Sequence, residues 1–323
     1  MDNIGTRSVS RLPERFRSRL RLPVIAAPML HVSGPDLVVA ACRAGVIGAF
    51  PTLNPTLMRA EGGLDGWLTG MKAQLGSRLG ACAPICPNLV MRSPDVGQQV
   101  ETIIRHGIEM VITSVGSPKP VMPHLKAANI FVLADVATLD HARKAIEAGV
   151  DGLVLLTAGA GGQTGWLNPF AYVRAVREIF DGPIVLAGGI SDGVALRAAE
   201  VLGCDLAYMG TKFIATRESL ATDAYRDMLV RSSLDDVVLT KAFTGLSASF
   251  LRPSIIAEGL DPDRLDESIS AAEARQTYSA GASGPRRWTG VKSAGHSVSG
   301  VKSIQTVAEL VEQTARDYQA AHG

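Results

Sequence analysis

Between Leu22 and Gly210 the chain alternates eight short apolar runs with longer amphipathic stretches, and this rhythm limits the fold more than any other feature. The runs occupy residues 22–28, 46–50, 80–86, 109–113, 130–134, 152–156, 183–187 and 206–210. Runs that are apolar throughout, and separated by helices, are expected for parallel strands buried on both faces. The intervening stretches 34–44, 62–76, 94–106, 119–128, 139–148, 170–180 and 193–201 are predicted helices. Two of them run through a glycine, Gly149 or Gly203, directly into the next strand, a common way for a helix to stop. Eight strand–helix units favour an α/β fold closed into a (β/α)8 or TIM barrel, with an open doubly wound sheet as the alternative.

After Phe213 the rhythm breaks. Residues 218–233 read as a helix. Residues 234–290 are mixed, with Asp235, Asp236, Pro253, Pro262 and a Gly/Ser/Pro patch at 281–285. The tail 303–321 spaces Ile304, Val307, Leu310, Val311 and Ala315 for a closing helix. The expected division is a barrel over 20–225, a mostly helical lid over 226–290 and a return to the barrel over 291–323. Six arginines crowd the first 21 residues, but no apolar core of signal-peptide length accompanies them, so this stretch reads as a solvated leader.

With 46% hydrophobic residues in 323, the chain can fill one large core. Its net charge of +1 argues against nucleic acid or an anionic membrane as partner. Arg43 breaks the longest apolar run before it reaches membrane-spanning length. Cys42, Cys82, Cys86 and Cys204 match no zinc spacing, and no HxxxH pair occurs. No metal is therefore expected, and the scattered thiols suggest a reducing, cytoplasmic compartment. The expected partner is a small-molecule substrate. Self-association is left open, with a homodimer as the candidate assembly.

In such a barrel the chemistry sits at the C-terminal ends of the strands. Strand one ends at Ala27-Pro28-Met29, whose small residues let a flat ring approach the backbone; a tight turn with a core methionine explains it equally. Asn88 follows strand three and can both donate and accept at a ring edge, though a turn asparagine is as plausible locally. Strand six enters a loop with Gly159, Gly161, Gly162 and Gly165, and Gln163 is its polar reach. Such a loop implies left-handed backbone or close approach to a ligand; the alternative is a flexible linker. Strands seven and eight end at Gly188-Gly189 and Gly210-Thr211. Either pair alone is an ordinary turn. Together, in this order, they match the phosphate site of the fold, with Gly210-Thr211 opening a helix whose dipole favours an anion.

These segments resemble a known family. Ala187-Gly188-Gly189-Ile190-Ser191-Asp192-Gly193, with the stretch from Tyr208 to Glu218, looks like the nitronate monooxygenase (2-nitropropane dioxygenase) family. That family includes FMN-dependent quinone reductases and flavin-type enoyl-ACP reductases. The likeness runs from Leu22 to about Glu218 and resumes at Trp288 and Ser293-Ala294-Gly295-His296-Ser297. The resemblance implies FMN held by Ala27, Pro28, Met29, Asn88, Gly188, Gly189, Gly210 and Thr211, a set that Asp135, Gly161 and Gly162 join as candidates. NADPH or NADH is the candidate reductant. Members of the oxidising type carry a histidine in the glycine loop as the expected base, and here that loop reads Gly161-Gly162-Gln163-Thr164-Gly165. Glutamine takes no proton near neutral pH. Gln163, His31 and His296 are thus the catalytic candidates, the two histidines as replacements for the missing one.

Three functions follow as expectations. One is oxidation of an alkyl nitronate or related carbanion with O2. A second is NAD(P)H-dependent reduction of quinones or of enoyl or acyl thioesters, towards which the glutamine shifts the reading. The third is a non-flavin sugar-phosphate enzyme, which would need a charged residue at a strand end such as Lys212 or Asp135.

Overall fold

A computed structural model describes residues 10–278 and 285–322. Eight parallel strands close into a barrel: β1 (Val24–Ala26), β2 (Ile47–Pro51), β3 (Ile85–Val90), β4 (Met110–Ser114), β5 (Phe131–Val136), β6 (Gly152–Leu156), β8 (Ile184–Ala187) and β9 (Leu206–Met209). β9 pairs back on β1, with Ile25 opposite Tyr208. Between β6 and β8 the two-residue β7 (Gly162–Gln163) leaves the barrel and joins a separate antiparallel sheet with β10 (Val237–Thr240) and β11 (Ala248–Leu251).

Two apolar layers explain why every barrel strand is apolar along its length. Ile25, Ile47, Cys86, Ile112, Leu133, Val154, Val185 and Leu206 fill the barrel interior from successive strands. The alternate residues, including Val24, Leu89, Val111, Val132, Leu153 and Leu186, join a larger cluster with the surrounding helices. Those helices include Pro35–Ala44, Gly63–Leu75, Val96–Arg105, Leu139–Glu147, Pro169–Arg177, Gly193–Leu202 and Val307–Ala320.

Three expectations are corrected. Strand three is Ile85–Val90 rather than 80–86. Residues 76–78 form a turn of 3-10 helix, and Asn88 lies inside the strand, facing the barrel axis two residues beyond Cys86. The leader is not simply solvated. Phe16 is 0% exposed and Leu12 3%, and both belong to the interior cluster. Phe16 meets Phe131 edge-on at 5.4 Å, and the Arg15 and Arg19 guanidiniums lie over its ring. Two apolar residues four apart on a short helix, Glu14–Arg17 and its flank, thus plug the end of the barrel remote from the strand C-termini. Arg7 lies outside the described residues. Finally, the segment expected to be mostly helical also holds β10 and β11, because Val237, Val238 and Thr240 suit a pleated ladder. It retains helices Arg252–Ala257 and Ala271–Tyr278, and positions 281–284 of its glycine patch lie outside the described residues.

Candidate active site

A cavity of about 1250 Å3 opens over the C-terminal ends of the strands. Its floor is the last inward-facing layer of the barrel. Ala27, Ala187 and Leu156 make one part of it; Asn88, Ser114, Asp135 and Tyr208 make the other. The small side chains on β1 and β8 leave room for a flat group, and the polar ones supply hydrogen bonds. Ser114 Oγ donates to Asn88 Oδ1 at 3.2 Å. Asn88 Nδ2, Asp135 Oδ1 and Tyr208 OH are buried without any hydrogen-bond partner, the only such side-chain atoms among the described residues. Native proteins rarely strand polar atoms in this way, and three of them on one floor mark a place for a ligand. Burial pushes the Asp135 carboxyl up to about 7 and the Tyr208 hydroxyl well above its usual value.

The first-strand motif is held rigidly beside this floor. Asn54 Nδ2 donates to the carbonyls of Met29 and Ser33, and Asn54 Oδ1 accepts the His31 N–H. Ser33 Oγ donates to the Ala27 carbonyl. Met29 Sδ would lie 3.6 Å from a Cβ built on Gly210, so the motif and the last strand end meet at one wall.

The two glycine turns stand side by side after β8 and β9. Gly188 has φ of 131°, and a Cβ there would collide with Thr157 Oγ1. Gly189 has φ of 74° with open space in front of it. Among the described residues, no protein group accepts a hydrogen bond from the N–H of Gly188, Gly189 or Ile190. Such free N–H groups form a concave anion cradle. The dipole argument is weaker than expected. Asp192 already caps the helix after Gly189, accepting the Ala195 N–H, and the helix Thr211–Ile214 is a single turn. The cradle is therefore built of backbone N–H groups rather than of a helix terminus.

The glycine loop is a wall, not a linker. Gln163 pairs with Ala248 and Gly162 with Ser249, and Gly162 N–H donates to Ser293 Oγ at 2.6 Å. Gly161 and Gly162 line the cavity with Gln163, and Gly161 has no room for a side chain because Gly295 and Ala294 press against it. Tyr225 OH bonds the carbonyl of Ser293, which fixes the late segment Ser293–Ser297 over the same mouth.

Neither catalytic histidine candidate lines the cavity, whereas Gln163 does. His31 has φ of 60°, and burial and then the Lys292 charge lower its pKa. His296 is exposed and packs on the outer side of Gly159, donating its N–H to the Gly159 carbonyl. Lys212 turns away to the Gly300 carbonyl. Of the two charged candidates for a sugar-phosphate reaction, only Asp135 faces the cavity.

The mouth has a basic rim that the sequence reading did not single out. Arg92, Lys119, Lys144, Arg275 and Arg287 line it beside Glu147, with Lys144 paired to Asp140. Arg287 is pushed below its ordinary pKa by burial and then by Arg275, and no carboxylate among the described residues offsets this. Ser114 and Tyr208 were also missed. The signal was available in the period of two along β4 and β9, which places both on the barrel's inner face.

Comparison with known proteins agrees with this architecture. The profile of the nitronate monooxygenase family matches residues 79–317. FabK from Thermotoga maritima superposes with a TM-score of 0.76 at 21% identity, over 97% of both chains. The chain is 28% identical over 253 residues to a (3aS,4S,5R,7aS)-5-hydroxy-7a-methyl-1-oxo-octahydro-1H-indene-4-carboxyl-CoA dehydrogenase of Mycobacterium tuberculosis, across 77% of this chain and 68% of that one. A probable nitronate monooxygenase of Staphylococcus aureus is 31% identical over 170 residues, about half of each chain. With the family profile spanning most of its length, the chain belongs to the nitronate monooxygenase family of oxidoreductases.

Proposed function

We propose that this protein is an FMN-dependent oxidoreductase acting on a phosphate-bearing acyl thioester, with NADPH or NADH as its redox partner. The observation that carries the cofactor reading is the floor: Asn88 Nδ2, Asp135 Oδ1 and Tyr208 OH face a cavity with no protein partner, beside an open cradle at Gly188–Ile190. These residues fit FMN. The N–H groups of Gly188, Gly189 and Ile190, with Gly210 and Thr211, would hold the phosphate. Ala27, Pro28 and Met29 would flank the ring, and Asn88 and Asp135 would meet its polar atoms. When bound, the flavin supplies the two-electron chemistry that no side chain can.

The protein's own contribution is to orient the substrate and exclude water. Gln163 reaches the cavity from β7 and can fix a carbonyl or nitro oxygen by its amide. Thr244, Leu246, Ser247, Ala271 and Trp288 line the cavity from segment 226–290, which would set the substrate. The basic rim favours a substrate with a phosphorylated handle, as does the carboxyl-CoA dehydrogenase likeness. The cavity exceeds the roughly 300–1,000 Å3 of ordinary ligand pockets, as a site for cofactor plus substrate should.

A second reading, oxidation of a small nitronate with O2, is favoured by the Staphylococcus relative. A preformed nitronate is already an anion and needs no base. An absorption spectrum of the isolated protein tests the cofactor. Anaerobic mixing with NADPH, NADH, an acyl-CoA or a nitronate then separates the substrates. Colourless protein that releases no flavin on denaturation would sink both readings. Bleaching by nitronate but by neither nicotinamide nor acyl-CoA would leave only the second.

A further inference from the structure

The cavity floor holds a carboxyl with no counter-ion among the described residues. Asp135 projects from β5 in the top inner layer of the barrel. Its Oδ1 is buried without a partner, and its remaining surface faces the cavity it lines. Cys86 on β3 and Tyr208 on β9 are the titratable neighbours, and burial holds both in their neutral forms. Ser114 on β4 and Leu156 on β6 carry no charge. No cation acts on Asp135; burial alone does, pushing it up to about 7. Its two stranded companions, Asn88 Nδ2 and Tyr208 OH, are both able to donate.

A carboxylate with one oxygen buried unpartnered at the barrel floor, and no counter-ion beside it, is unfavourable, and the group responds by holding its proton more tightly. A protonated carboxyl is a hydrogen-bond donor; an ionised one only accepts. We propose that Asp135 meets the cofactor's ring as a neutral carboxylic acid, donating to a ring acceptor, so that cofactor binding holds a proton on this residue. The proposal rests on the FMN reading and deepens it. A flavin ring presents carbonyl oxygens and ring nitrogens with free lone pairs, which match a floor of three donors. Ionisation sends the proton to solvent and leaves an acceptor facing acceptors. The opposite arrangement, an ionised Asp135 accepting from the ring's one N–H, predicts the opposite pH behaviour.

Binding of FMN and of riboflavin to the apoprotein, followed by quenching of flavin fluorescence between about pH 7 and pH 9, tests this. Over that range the FMN phosphate charge is nearly constant, its second pKa being about 6, and riboflavin has no phosphate at all. The wild-type Kd should rise with pH, approaching about tenfold per unit once Asp135 is ionised when free, for both ligands. Asp135→Asn should bind with a nearly flat profile, because the amide donates at every pH. Parallel profiles in wild type and variant, or a wild-type Kd that falls with pH, overturn the proposal. Should the variant fail to fold, a flat wild-type profile for riboflavin overturns it alone. Failure of the wild type to bind either flavin at any pH instead overturns the FMN reading itself.

Discussion

Ser114 Oγ donates to Asn88 Oδ1 at 3.2 Å across neighbouring strands, and this turns Asn88 Nδ2, the amide's donor side, to the cavity. Sequence places the two residues 26 positions apart; the β3–β4 pairing brings them together. The hydroxyl thus decides which end of the amide a ligand meets.

Removing that hydroxyl should loosen the amide without unfolding the barrel. A hydrogen bond of this kind is worth about 1 kcal/mol net. Ser114→Ala should therefore weaken FMN binding by about fivefold, and Asn88→Ala by more. Equilibrium titration of apoprotein measures both, and an unchanged Kd in Asn88→Ala would remove Asn88 from the cofactor site.

Under the FMN reading, Gly189 would contact the phosphate and not the ring. Its φ of 74° costs a side chain roughly 1–2 kcal/mol, and the space in front of it is open for a ligand. Gly189→Ala should fold with a modestly lower melting temperature. FMN affinity should drop more than tenfold while riboflavin affinity changes little. Equal losses for both ligands would mean that this turn does not hold the phosphate.

Gln163 stands on the cavity wall where a base would be useful. Gln163→His should raise turnover of neutral nitroalkanes, within the roughly 100- to 10,000-fold range of general base catalysis. Oxidation of preformed nitronates should change little. No gain with nitroalkanes would show that β7 cannot present a base to the substrate.

Arg275 and Arg287 share one side of the mouth, and burial and then the Arg275 charge act against the charge of Arg287. The double variant Arg275→Ala/Arg287→Ala should raise KM for an acyl-CoA about tenfold with kcat kept, the signature of lost uniform binding. Wild-type KM should climb with salt, and the variant's should climb less. Steady-state kinetics at two ionic strengths reads both effects. A KM untouched by the double change would argue for the small nitronate instead.

Much of this arrangement was legible in the sequence. Continuous apolar runs pointed to strands buried on both faces, and their number favoured the closure that the structure shows. Glycines at 188 and 189 marked a turn that only left-handed backbone and close packing against Thr157 can make. The missing histidine was visible as Gln163. These features depend on residue type and local spacing.

What tertiary structure alone decided depends on which residues share a face after closure. Phe16 became a plug rather than a leader because the open end of the barrel offered it an apolar socket against Phe131. Gln163 became a strand residue because β11, 85 positions later, supplied its hydrogen-bond partners. His31 and His296 were near the mouth in sequence, but neither lines the cavity. Asn88, Ser114, Asp135 and Tyr208 come from four strands, and each reads locally as an unremarkable polar residue. Only the inward half of the pleat, once the barrel closes, gathers them on one floor and leaves Asn88, Asp135 and Tyr208 with polar atoms unpartnered there for a ligand to complete.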